Sequence, residues 1–169
     1  MSSCSEEVIQ VDIARRNELI ARYREGPGVV EQIVAGLGDE ELDHVPADGG
    51  WSARAVIHHL ADSEMMSAAR LRLLLAEDSP VIQGYDEEEF ARRLHYDSRP
   101  PGPSLAALRA TRDSTAAILD QLSEEDWGRS GIHTEGGDYS VEMWLEIYAE
   151  HAHDHVGQIE RAVAEARAS

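Results

Sequence analysis

The chain has no lysine and one cysteine, Cys4, in its 169 residues. A lone cysteine excludes an internal disulfide and a cysteine-built zinc site, and fits a reducing compartment. Cationic residues are scarce. Fifteen arginines face 33 aspartates and glutamates, a formal net charge of −18. DNA, RNA and anionic membrane surfaces each need a basic footprint, so none of them is an expected partner. No run approaches the roughly 18 apolar residues that a membrane span needs. The segment from Met1 to Val11 is acidic and lacks an apolar stretch of the secretory type, so the expected location is cytoplasmic. Alternating apolar runs are short and rare, which leaves little for strands. There is no Walker loop, no dinucleotide-binding glycine fingerprint and no Gly-x-Ser-x-Gly elbow. The zincin motif is missing too, because Ala152 and not glutamate follows His151.

What remains is helical. Hydrophobic residues make up 42%, enough for a core, and the length suits one domain over residues 11–169 behind a loose tail, residues 1–10. Four segments carry helical periodicity. The first, near Ile13–Leu37, is interrupted by Gly26-Pro27-Gly28 and is either kinked or two shorter helices. The second is capped by Ser52 and runs to about Ala76. The third is capped by Ser104 and covers about Leu105–Leu122. The fourth is capped by Ser140 and runs to about Ala166. Between the second and third, Glu77–Pro103 forms a long crossover with a short helix at Asp86–Leu94. Ser123–Trp127 is a turn or helical stub, and Gly128–Tyr139 a brief hairpin or an irregular loop. The fold expected is all-α, a four-helix bundle with a long crossover between helices 2 and 3.

The eight histidines carry the chemical signal. On the last helix Trp144, Tyr148, His151, His155, Gln158 and Ala162 recur at intervals of four and three, a single seam facing the core. That seam sets two imidazoles one above the other, about 6 Å apart along the axis, so two nitrogens can converge on one ion at ~2.0–2.1 Å. The plainer alternative is a pair of hydrogen-bonded core histidines. It needs partners for four ring nitrogens, each costing ~1–3 kcal/mol if unpaired. His153 lies off the seam. A third ligand must come from another helix. His59 is one turn from Val56 and Ser63, whereas His58 lies toward Arg54 and Asp62, so His59 is the choice. The expected centre is His59, His151 and His155 with an open coordination position, the pattern of a catalytic site.

Around it, Gln158 is placed to hydrogen-bond a ligand imidazole and Trp51 to anchor the helix entrance. Trp144 and Tyr148 share the seam, Tyr85 and Asp86 lie in the crossover that would roof a pocket, and Arg70 is a candidate to meet substrate charge. The substrate-contact set is therefore Tyr85, Trp144, Tyr148 and Arg70, although for Trp144 and Tyr148 packing is the favoured reading. Arg92, Arg93 and Arg112 are further cations, each readable as a surface charge. Asp62, Glu64 and Asp154 are the carboxylates near enough in sequence to act as a general base.

Gly50-Trp51-Ser52 leading into His58-His59-Leu60-Ala61-Asp62-Ser63 resembles the metal-bearing second helix of DinB-like proteins. Ala76-Glu77-Asp78-Ser79-Pro80 with Gly84-Tyr85-Asp86, and Tyr148-Ala149-Glu150-His151-Ala152-His153-Asp154-His155, resemble the YfiT-type branch. The likeness spans roughly residues 13–163. It implies a four-helix bundle, usually a homodimer, with a divalent metal, zinc or nickel, on His59, His151 and His155. It departs at Ala55, where many members carry a glutamate that completes a capping box. The resemblance also implies a reaction class. Members with known activity are transferases of low-molecular-weight bacterial thiols such as bacillithiol or mycothiol, and the YfiT branch is provisionally labelled metal-dependent hydrolase. The leading expectation is thus a thiol S-transferase acting on a small molecule, with the metal holding the thiol as thiolate. The alternatives are hydrolysis by metal-bound hydroxide, or a non-catalytic metal- or ligand-binding stress protein.

Overall fold

The computed structural model describes the backbone from residue 3 and the side chains from residue 13, through residue 169. The tail expected over residues 1–10 lies outside the described side chains. In chain order the elements are α1 (Ser3–Val34), α2 (Asp39–Asp43), α3 (Ala53–Ala76), β1 (Val81–Ile82), α4 (Glu87–Arg93) and α5 (Pro101–Leu119), followed by α6 (Glu124–Trp127), β2 (Ser130–His133), β3 (Gly137–Ser140) and α7 (Val141–Ala168). The long helices α1, α3, α5 and α7 form the bundle. α1 packs on α7 and α5, and α3 packs on α5 and α7. Going round the bundle the order is α1, α7, α3, α5, so chain neighbours α1 and α3 occupy opposite corners, as do α5 and α7.

Local chemistry explains most boundaries. Ser52, Asp86, Ser123 and Ser140 cap α3, α4, α6 and α7 through side-chain oxygens that accept a backbone N–H three residues on. The third long helix departs from expectation. It begins at Pro101, because proline suits the first helical position, where no N–H is needed. Ser104 therefore sits inside the first turn, and its hydroxyl is used by His58 instead.

α1 is also one continuous helix through Pro27. The role of Gly26 is packing rather than interruption. A Cβ there would lie 2.2 Å from Nη1 of Arg112 and 2.9 Å from the Ala152 Cβ. The small sheet contains the hairpin expected over Gly128–Tyr139 and departs from expectation only in β1. β2 and β3 form the hairpin, and β1 adds a parallel strand to β2, pairing Val81 with Ile132 and Ile82 with His133. Gly131 allows the approach, since a Cβ there would meet the Pro80 carbonyl oxygen at 2.3 Å.

The interior is two apolar clusters with a polar layer between them. One cluster holds Tyr23, Leu71, Ile82, Trp127, Val141 and Trp144; the other holds Val30, Val56, Ile57, Leu60, Leu108 and Ile159. Between them Glu64 and Arg112 are ion-paired at 2.7 Å, 0% and 1% exposed. Arg112 also donates to the carbonyls of Tyr23 (2.7 Å) and Tyr148 (2.9 Å). Glu64 accepts from the Tyr23 and Ser67 hydroxyls. Every strong group of this pair is thereby satisfied, which a buried ion pair requires.

Candidate metal centre

The Ser52 cap fixes the start of α3: the Ala55 N–H donates to Ser52 Oγ at 3.2 Å. Two turns later His58 and His59 diverge by one helical step of about 100°. His59 turns toward α7, and His58 turns toward the crossover and α5. The Arg99 carbonyl accepts from His58 Nε2 at 3.0 Å, so Nδ1 is the acceptor of the Ser104 hydroxyl at 2.8 Å. Both nitrogens of His58 are thus committed to the protein.

His59, His151 and His155 come together from α3 and α7. One nitrogen from each ring lies within 4.8 Å of the others. The ring centroids are 5.2 Å (His59–His151), 4.7 Å (His59–His155) and 4.7 Å (His151–His155) apart. His59 Nε2 and His151 Nε2 are 3.3 Å apart. Two nitrogens each ~2.0–2.1 Å from one tetrahedral ion would be separated by about 3.3 Å, so this spacing fits a shared ion as well as an N–H···N contact between the rings. Gln158 Oε1 accepts from His155 Nδ1 at 2.8 Å, which leaves the Nε2 lone pair of that ring free. Nδ1 of His151 is buried without a partner among the described residues.

Electrostatics favour the neutral, ligand-ready form. Burial pushes His59 down to about 3 and His151 down to about 2, with the neighbouring imidazoles adding to the effect. Three close imidazoles cannot be charged together, but they can share an external cation. No carboxylate or thiol joins this cluster among the described residues.

The surrounding residues sort by their contacts. Trp51 lies on His59 with ring centroids 4.8 Å apart. Tyr148 meets His151 edge-on at 5.6 Å, and burial raises its phenol pKa. Arg70 donates Nη1 to the Tyr148 hydroxyl (3.3 Å) and Nη2 to the Gln83 carbonyl (2.7 Å), lies 5.4 Å from the Tyr85 ring centroid, and keeps a buried Nε with no partner among the described residues. Trp144, named with the substrate contacts, belongs to the core instead. It is 0% exposed and donates Nε1–H to the Ser67 carbonyl at 2.8 Å. Arg112 is no surface charge but the buried partner of Glu64, and Arg92 and Arg93 spend their charge on Glu89. Of the three candidate bases, Asp62 pairs with Arg99 at 3.1 Å, Glu64 belongs to the buried network and Asp154 is exposed. His153 Nε2 donates to the Arg22 carbonyl at 3.1 Å, and His133 Nδ1 accepts two backbone N–H groups of its own turn. Sequence reasoning missed Glu87 and Glu88, which line a cavity of about 330 Å³ that reaches His155, Gln158 and Arg161. Their signal was weak, because α4 is seven residues long and its facing direction is set by the crossover.

The family model of the DinB superfamily matches residues 22–159. The chain belongs to the DinB superfamily. A relative from Oceanobacillus iheyensis, provisionally named a metal-dependent hydrolase, is 38% identical over 143 residues, 85% of this chain and 83% of the relative. YfiT of Bacillus subtilis, named in the same provisional way, is 33% identical over 146 residues, covering 86% and 82%. The solved structure of YfiT, described as a four-helix bundle of unusual topology, superposes with a TM-score of 0.83 at 32% identity and covers 89% of this chain and 86% of that one. The corner-to-corner order of α1, α7, α3, α5 in this DinB protein differs from a simple up-and-down bundle, in which chain neighbours are also spatial neighbours. Among the described residues no helix is long and apolar enough to cross a membrane.

Proposed function

We propose that this protein is a divalent-metal-dependent enzyme acting on a small molecule, with the metal, zinc or nickel, held by His59, His151 and His155. The observation that carries the reading is the 3.3 Å separation of two imidazole nitrogens on neighbouring helices, with a third lone pair freed by Gln158. Imidazole donors suit either metal. A divalent cation at such a site supplies Lewis acidity, lowering the pKa of a thiol or water that reaches it.

The reaction we assign is S-transfer on a low-molecular-weight thiol of the bacillithiol or mycothiol type. What supports it is the division of labour among the side chains. Asp62 and Glu64 are engaged elsewhere, and among the described residues no carboxylate stands within the imidazole cluster. A thiol, ionising far more readily than water, has less need of a general base. The three imidazoles would hold the metal, and the Trp51 ring covers one side of His59.

Hydrolysis is the second reading. It is favoured by the names of the relatives and by Glu87 and Glu88, whose carboxylates line the cavity that reaches His155. One experiment separates the two. The metal-loaded protein is incubated with a thiol panel and a generic electrophile, and in parallel with ester and amide substrates without thiol. Thiol-dependent conjugation is expected; turnover only of esters or amides would replace S-transfer by hydrolysis. The homodimer implied by the resemblance is part of the same proposal and is read by light scattering.

A further inference from the structure

A second cavity adjoins the one that reaches His155. Its volume is about 560 Å³, within the ~300–1,000 Å³ usual for small-molecule pockets. The two cavities share Gly50, Trp51 and Glu88, so they are two arms of one groove with the Trp51 indole between them. The arms differ in chemistry. The inner one is polar, presenting His155, Gln158 and Arg161. The outer one has an apolar floor of Ala55, Ala91 and Tyr96, with the Trp51 ring as its wall. Its rim is acidic. Asp97 and Glu88 form no ion pair among the described residues, whereas the rim cation Arg92 is neutralised by Glu89 at 2.6 Å. Val45 is 60% exposed, an apolar side chain left facing solvent at the mouth.

We propose that this outer arm is a specificity pocket for an apolar alkyl or aryl group of a neutral or cationic substrate, with Trp51 as the wall that orients it toward the imidazoles. An apolar floor selects hydrocarbon by area removed from water. Unpaired rim carboxylates disfavour an anion there by like-charge repulsion. The proposal deepens the metal-centre reading, since it says which substrates that centre serves, but the pocket itself is built without any of the three histidines.

The test uses the full chain, both as purified and after dialysis against a chelator, with metal content measured in each sample. The probes are 4-phenylbutylamine, 4-phenylbutanol and 4-phenylbutyrate, which share a hydrocarbon body and differ in charge. The readout is the Trp51 indole N–H resonance, identified by its loss in Trp51→Phe. Trp144 and Trp127 are buried at 0% and 6% exposure, so the half-buried Trp51 is the indole a ligand can reach. We expect saturable shifts with the amine and the alcohol, in both samples. The carboxylate should bind roughly tenfold more weakly, the effect of one poorly screened like-charge contact. Ala55→Leu fills the floor and Val45→Asp adds charge at the exposed mouth. Each should weaken the alcohol by about fivefold or more at unchanged metal content. The second variant alters a surface position and keeps the test open if the first fails to fold. The proposal is overturned if no probe shifts Trp51, if the carboxylate binds as tightly as the amine, or if Val45→Asp binds the alcohol as wild type does. Failure to bind metal would remove the metal reading and leave the pocket result standing; metal bound without probe shifts would remove only the pocket.

Discussion

Adjacent histidines on one helix have opposite fates here, and that difference is measurable. His59 offers a nitrogen to a shared point with His151 and His155, while His58 spends both nitrogens on Ser104 and Arg99. Replacing His59, His151 or His155 by alanine should abolish stoichiometric metal binding and leave far-UV helical signal largely intact. His58→Ala should retain full metal content but lower stability by about 1–3 kcal/mol, because a buried hydroxyl and carbonyl lose their partner. Metal analysis with urea unfolding checks both; full metal in His151→Ala and none in His58→Ala would reverse the ligand assignment. The buried Glu64–Arg112 pair gives a second residue-scale prediction. Glu64→Ala leaves a guanidinium uncompensated in the bundle interior and should cost about 3–5 kcal/mol by the same urea measurement.

At the level of elements, helix periodicity was legible in the sequence and tertiary compensation was not. The seam on α7 and the caps at Ser52 and Ser140 could be read because each depends on residues within a turn or two. The imidazole cluster was legible for the same reason: two of its members lie four apart on one face, and only the phase of α3 had to be chosen. What escaped was non-local. Gly26-Pro27-Gly28 looks like a break until Arg112 from α5 is seen crossing against Gly26. The first strand, Val81–Ile82, is two residues long and exists only because the hairpin lies beside it. Ser104 reads as a cap by type, yet the prolines before it start α5 earlier and release its hydroxyl for His58. Glu64 and Arg112 read as surface charges by composition, and only each other's presence makes their burial tolerable. Gly26→Ala isolates one such compensation. Although alanine is the better helix former, the added methyl meets Arg112, and the variant should lose about 1–3 kcal/mol rather than gain stability. A rise in melting temperature for this variant would contradict the packing described.

For the whole molecule, acidity and buried imidazole make pH the decisive variable. His58, His59 and His151 are all held below the ordinary 6.5 by burial, His59 to about 3 and His151 to about 2. Above 6.5 they are neutral in both folded and unfolded chains and cost nothing. Below it the unfolded chain takes up protons that the metal-free folded chain refuses, so stability falls with pH by up to about 1.4 kcal/mol per pH unit for each of His59 and His151, with His58 acting in the same direction. The loss for His59 and His151 stops growing near about 3 and about 2. A second loss begins lower. Glu31, Glu41, Glu89 and Asp126 are held below their usual carboxylate range by side-chain or backbone donors, and that stabilisation is lost as pH falls through their folded values. Urea titrations of metal-free protein from pH 8 to pH 5, at fixed salt because of the net charge of −18, should show a decline starting near 6.5. A flat profile across that range would mean the imidazoles are solvated.

His59 and His151 stand 92 positions apart along the chain. An ion gripping both is therefore a reversible cross-link over most of the polypeptide's length, one that the denatured ensemble cannot make without first paying the entropy of closing that long loop. Chelation and denaturant should then act in concert: stripping the cation ought to lower the urea midpoint, and restoring it ought to raise the midpoint with the logarithm of free ion concentration.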